Sequence, residues 1–192
     1  MNQIDVLKSV VSAISDMLQS QEFLDAHHFP NRFVRNRMLS MYQVVLFLLY
    51  FTKQALHQNI SRIIDLGVLN FNDVSKQAVS RARQGIMPSL FKDLFDVSVE
   101  IFSKSQCPRR LWLGRETVHA IDGSRIQLPN SSSNYEKYGK MSGRKNSGRH
   151  WSLALASVIY DVTNDYFCHS LIRPILSSER MAATSFVRSF FL

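Results

Sequence analysis

The chain changes its hydrophobic period once, and that change limits what it can fold into. Through the first hundred residues apolar side chains recur at helical spacing: Ile4, Leu7, Val11, Ile14 and Leu18 make one stripe, and Leu90, Phe91, Leu94, Phe95, Val99 and Phe102 another. From Ser103 to Arg110 the composition turns polar and basic, and Pro108 stops any continuing helix. Beyond it, Thr117 to Leu128, Trp151 to Tyr160 and Tyr166 to Ile172 are short apolar or β-branched runs separated by turn-forming residues. The expectation is an α+β chain with a helical domain over 1–105 and a strand-bearing domain over 106–192.

Within the first part, the stripe from Ile4 to Leu18 reads most simply as core. A buried helix is expected near 40–57. Its greasiest stretch, Met41 to Phe51, is interrupted by Gln43 and falls short of the roughly 18–20 apolar residues that span a membrane. A shorter helix around Ile60 to Leu66 should end at Gly67, Asn70 to Asp73 should turn, and Ser75 should cap a helix over Lys76 to Gln84. Pro88 suits the first turn of the next helix. In the second part, Asp161 to Asp165 reads as a hairpin connection and Ser177 to Ala183 as a capped helix start.

At 192 residues and 45% hydrophobic content the chain can build a core, and its net charge of +8 with a pI near 9.8 favours a polyanionic partner. Nucleic acid leads, ahead of an anionic membrane surface. Cys107 and Cys168 lie far apart with no Cys-x-x-Cys spacing, which argues against zinc or a disulfide framework. The N-terminus lacks a signal-peptide pattern, so a cytoplasmic location is expected.

The basic residues gather in segments. Lys76, Arg81 and Arg83 share the helix capped by Ser75; Lys76, Gln77 and Ser80 would face a major groove while Ala78, Val79 and Ala82 pack inward. Seven residues separate Gly67 from Ser75, more than the three or four of a standard helix-turn-helix, so general phosphate contact is expected over base reading. Lys140, Arg144, Lys145 and Arg149 belong to a stretch from Lys137 to His150 in which cations alternate with Gly, Ser and aromatics. A solvated loop and a DNA contact both fit it, and its expected position beside Asp122 favours a role at the DNA. Asn31 to Arg37 carries three more arginines and reads equally as a solvated loop.

The stretch Ala120-Ile121-Asp122-Gly123-Ser124 delivers one carboxylate from an apolar run into Gly-Ser. Asp-Gly here fits an ordinary turn; it also fits an acid held at an open strand end where a divalent cation could reach it. With Asn134 to Gly139, the basic loop, Ser152 to Asp165 and Ser177-Ser178-Glu179-Arg180 following in order, the chain resembles bacterial DDE transposases of the insertion-sequence-four family. The resemblance implies a ribonuclease H-like catalytic domain with Asp122 as first catalytic acid and metal ligand, Mg²⁺ as cofactor, transposon-end DNA as partner and a homodimer in the full-length form. It implies phosphoryl transfer at a DNA end through two divalent ions.

Such chemistry needs a second Asp and a late Glu. Asp161 and Asp165 fall in the hairpin connection and Glu179 at a helix start, so all three are expected to be structural. The chain is expected to stop before the strand that supplies the second acid, leaving a truncated form able to hold DNA and unable to cut it. Two other classes stay open: a non-catalytic DNA-binding or regulatory protein using the helical domain, and a membrane-surface or protein-interaction module.

Overall fold

The computed structural model describes residues 3–34, 39–67, 74–105, 110–115, 117–142, 150–178, 180–181 and 183–184. It is mixed helix and sheet, and it divides into a helical unit, Gln3–Lys104, and a second unit, Ser105–Leu192.

The helical unit contains α1 (Gln3–Gln19), α2 (Gln21–Ala26), α3 (Met41–Leu49), α4 (Leu56–Asp65), α5 (Lys76–Arg83) and α6 (Ser89–Lys104). Serines start three of them: Ser20, Ser40 and Ser75 accept from Phe23, Gln43 and Ala78 amides, each satisfying a donor the first helical turn leaves unpaired. Gly67, at φ +64°, closes α4 in the left-handed conformation expected of it. One core joins Leu18, Leu24, Met41, Val44, Val45, Ile86, Leu90 and Leu94; a second joins Phe47, Ile60, Ile63 and Val79.

Two expectations are corrected here. The helix placed near 40–57 ends at Leu49, because the fully buried Asn59 of α4 holds the following segment in a different path. Its Oδ1 accepts from the Thr52 amide and hydroxyl, both at 2.8 Å, and its Nδ2 donates to the carbonyls of Thr52, Gln54 and Ala55. Both ends of the amide are thereby satisfied, as a buried Asn requires. In α1 the buried side chains are Val6, Val10 and Leu18, whereas Ile4, Leu7 and Val11 lie in solvent. The helix has more apolar surface than α2 and α6 cover, so the stripe read as core is core only at its C-terminal end.

The second unit holds β1 (His119–Leu128), α7 (Ser132–Tyr138), β2 (Lys140–Ser142), β3 (His150–Asp161) and β4 (Tyr166–Pro174). All pairings are antiparallel. Ile159 faces Ile121 of β1 and His169 of β4, and Ser152 faces Leu128 of β1 and Lys140 of β2. A strand has two edges, so β2 and β4 follow one another along one edge of β3 while β1 takes the other. Among the described residues β1 is an edge strand, and its residues are exposed or half-exposed throughout. The sheet buries Ala154, Leu155 and Ile159 of β3 and Cys168 of β4, and Ile159 and Cys168 form a small cluster flanked by Tyr166 and Leu171.

The Asp-Gly-Ser segment is not a turn at a strand end. Asp122, Gly123 and Ser124 pair with Val158, Ser157 and Ala156 as β1 runs straight through. Ladder pairing with β3 overrides the local turn preference of Asp-Gly. Neither α7 nor β2 was expected as an element, although Ser131 caps α7 by accepting from Asn134 and Gly139 ends it at φ +103°.

Candidate metal and nucleic-acid site

Asp122 is the fourth residue of β1 and is exposed. Val162 donates to the Val118 carbonyl at 2.8 Å, so by ladder alternation the amides of Ile121, Gly123 and Arg125 point away from β3 along the open edge. Asp122 Oδ1 accepts from that Gly123 amide at 2.8 Å. The carboxylate thus covers one edge donor, and its second oxygen has no hydrogen-bond partner among the described residues.

Alternation across the ladder sorts the neighbours. Ala120 and Ser124 on β1, Val158 on β3 and Ser170 on β4 share the face of Asp122, whereas Asp161, paired with His119, lies on the other. Asp161 is moreover consumed by its turn. Its Oδ1 accepts from the Thr163 amide and hydroxyl and from the Asn164 amide, and its Oδ2 from Asn164 Nδ2. Burial works to raise its pKa, but these bonds outweigh it and hold the carboxyl below the usual carboxylate range. Asp165, at φ +59°, accepts from the Tyr160 hydroxyl at 3.0 Å, and that bond raises the phenol above its usual value. Both acids carry the structural roles expected from the hairpin; Glu179 lies outside the described residues.

Asp122 is therefore the one carboxylate that a strand presents on its face among the described residues, and these contain no cluster of three metal-ligating side chains. Ser124 lies two residues along β1 and Ser170 two strands over, roughly 7 and 10 Å away, so the donor set is this one carboxylate, which fits at most a single, largely hydrated Mg²⁺ shared with a phosphate. It does not fit two ions, whose mutual repulsion needs more than one bridging acid.

The basic segment is anchored away from Asp122. Lys140 lies on the same face, but its row is Ser152 and Leu128, six residues along β1, or roughly 20 Å at the rise of a strand. Its ammonium sits 5.5 Å from the Tyr135 ring centre. Arg144, Lys145 and Arg149 fall outside the described residues, between Ser142 and His150, which pair with each other across the same end of the sheet. The expectation that this loop begins beside Asp122 is thus corrected: the β2 and β3 ends that carry it are a strand length away.

In the helical unit α5 buries Val79 against Phe47, Ile60 and Ile63, half-buries Ala78 and Ala82, and leaves Lys76, Gln77, Arg81 and Arg83 in solvent. A shallow cleft of about 500 Å³ opens beside its start, lined by His57, Ile60, Ser61, Val74, Ser75, Lys76 and Gln77. Arg81 and Arg83 also lie in the last turn, where cations oppose the negative end of the helix dipole, so part of their role is local. Sequence reasoning passed over Arg125 and Arg173. They flank Leu155 on the face opposite Asp122, a placement that only the register reveals. No helix among the described residues is long and apolar enough to cross a membrane. No known family model, curated protein or solved structure matches this chain.

Proposed function

We propose that this chain is the DNA-binding portion of a DDE-type transposase of the insertion-sequence-four kind, with Asp122 as the first catalytic acid and Mg²⁺ ligand of a ribonuclease H-like domain. The observation that carries the reading is the placement of Asp122: an exposed acid with one open oxygen, on the first strand of an antiparallel sheet whose long strands run β1-β3-β4. The net charge of +8 and the exposed cations of α5 supply affinity for the phosphate backbone. DNA binding is expected to fall steeply with salt and to vary little with sequence. Replacing Arg81 and Arg83 together by alanine should lower the log-log salt slope by about two, close to one unit per lost phosphate contact. Affinity indifferent to salt overturns the proposal.

With one acid on its face, the chain is expected to hold transposon-end DNA without Mg²⁺-dependent cleavage or strand transfer. Labelled ends incubated with Mg²⁺ or Mn²⁺ test this, and cutting that vanishes in Asp122→Ala would show that further acids complete the site. A second reading, a non-catalytic DNA-binding or regulatory protein, is favoured by the packing of α5 on α3 and α4 with its polar face outward. On that reading the α5 substitutions abolish binding and Asp122 is immaterial to every activity.

A further inference from the structure

Leu111, Trp112 and Leu113 stand next to one another on a tight turn ahead of β1, and they are 45%, 57% and 76% exposed. Folded chains rarely leave three consecutive apolar side chains in water unless a partner takes them. The Gly114 amide donates to the Leu111 carbonyl at 3.4 Å and the Arg115 amide to the Trp112 carbonyl at 3.1 Å, which closes the turn. Its tip is strained: Leu113 has φ +50°, in the left-handed region that a bulky side chain disfavours, and Gly114 follows at +71°. Its base is fixed. Asn164 of the β3–β4 connection accepts from the Arg110 amide at 2.9 Å, donates to the Arg110 carbonyl at 3.4 Å and donates to Asp161 Oδ2 at 2.9 Å. Gly or Asn at position 113 would relax the backbone, so a leucine there is held out for what its side chain does.

Charge identifies the partner. Arg110 and Arg115 bracket the three side chains, both are exposed, and neither pairs with a carboxylate among the described residues. We propose that this turn is a minor-groove wedge: Leu113 enters a base step of duplex DNA, Trp112 packs beside it, and the two arginines meet the phosphates that line the groove. An apolar side chain entering a step partly unstacks it and bends the duplex, and cations beside it hold the bent backbone. Three apolar side chains are too small an anchor for a bilayer, where stable attachment takes more than one such signal. The wedge rests on the chain being a DNA-binding protein and adds the deformation that it imposes on the duplex. It also has a place relative to Asp122. Asn164 binds Arg110 at the end of the sheet where His119 pairs with Asp161, and Asp122 lies three residues, roughly 10 Å, farther along β1. The bend and the open carboxylate thus belong to the same end of the sheet.

Binding of the full chain to two duplexes of one sequence, one intact and one carrying a single-nucleotide bulge, tests the proposal. The bulge is already unstacked, so that duplex should bind about tenfold more tightly or better. Leu113→Gly and, separately, Trp112→Ala should abolish the preference and leave the salt slope unchanged, because apolar contacts release no counterions. Leu113→Gly should not lower the melting temperature, since glycine adopts this φ without strain. In a Trp151→Phe chain, where Trp112 is the remaining indole, the bulged duplex should quench its fluorescence. Salt-sensitive binding that is equal for the two duplexes, or a preference untouched by both substitutions, overturns the wedge and leaves the DNA-binding reading standing. A Trp112 signal that responds to phosphatidylserine vesicles and to neither duplex overturns it in favour of a membrane contact. Failure to bind either duplex overturns both readings together.

Discussion

The helical unit buries Phe47, Ile63, Val79, Leu18 and Leu90 almost completely in two clusters, whereas the sheet buries only Ala154, Leu155 and Ile159 of β3 and Cys168 of β4 among its described apolar residues and leaves β1 exposed or half-exposed along its length. The difference follows from how each kind of element satisfies its backbone. A helix closes its hydrogen bonds internally and needs only an apolar neighbour, and α3, α4 and α5 supply one another with that. A sheet satisfies an edge only with another strand, and β1 meets solvent with the amides that face away from β3. Well-packed short helices are therefore complete on their own, while a three-strand-wide sheet is not. The sheet unit should be the softer of the two.

The largest effect is expected at the centre of the helical unit. Phe47→Ala removes a ring that touches α4 and α5 residues, and it should cost about 3–5 kcal/mol, enough to unfold this unit at ordinary temperature. Chemical denaturation followed by circular dichroism checks it. If the loss is below about 1 kcal/mol, the core around Phe47 is not as closed as its burial indicates.

Asn59→Ala comes next. It leaves the Thr52 amide and three carbonyls without their partner and should cost about 1–3 kcal/mol. Asn59→Asp separates the two halves of the network: the carboxylate still accepts from Thr52 but cannot donate to the carbonyls. It should destabilise as well, which equal melting of Asn59→Asp and the parent would contradict.

How far these features were legible depends on whether the cause was local. Ser75 as a cap, Gly67 as a terminator and the hairpin roles of Asp161 and Asp165 follow from short-range chemistry, and the structure places them as read. Other outcomes depended on partners that no local pattern names. The exposed line of α1 through Ile4, Leu7 and Val11 and its core line through Val6 and Val10 are both apolar, and only the positions of α2 and α6 decide which is covered. Asp122-Gly123-Ser124 favours a turn until β3 offers it a ladder. Asn59 is an ordinary polar residue of a helix until the 52–55 segment folds over it.

Acid should separate the two units. Asp161 has a folded pKa below its unfolded one, so it contributes stability that is fully present above about 3.9, the ordinary Asp value. That stability is lost as pH falls through the lower folded value. Tryptophan fluorescence of Trp112 and Trp151, both in the sheet unit, should therefore report an acid transition that shrinks in Asp161→Asn. A transition unchanged in Asp161→Asn would show that the hairpin carboxylate is not its source.

The smallest effect on stability is expected at the residue with the largest proposed role. Asp122 covers a single edge amide from an exposed position, and water can replace it there, so Asp122→Asn should change unfolding free energy by no more than about 0.5 kcal/mol. Were Asp122 the pivot of a buried turn, its loss would cost more, as Asp161→Asn should. The pair thus sets a structural acid against one held open. Asp161→Asn should lower stability and leave any Mg²⁺-dependent change in DNA affinity intact. Asp122→Asn should leave stability intact and remove the Mg²⁺ dependence, because among the described residues Asp122 is the one strand carboxylate on that face with an oxygen open to a cation. Melting curves and DNA binding with and without Mg²⁺, measured on both variants, decide between them. Loss of stability in Asp122→Asn with the Mg²⁺ response unchanged would reduce Asp122 to an edge-capping residue, and the sheet would then have no proposed chemistry of its own.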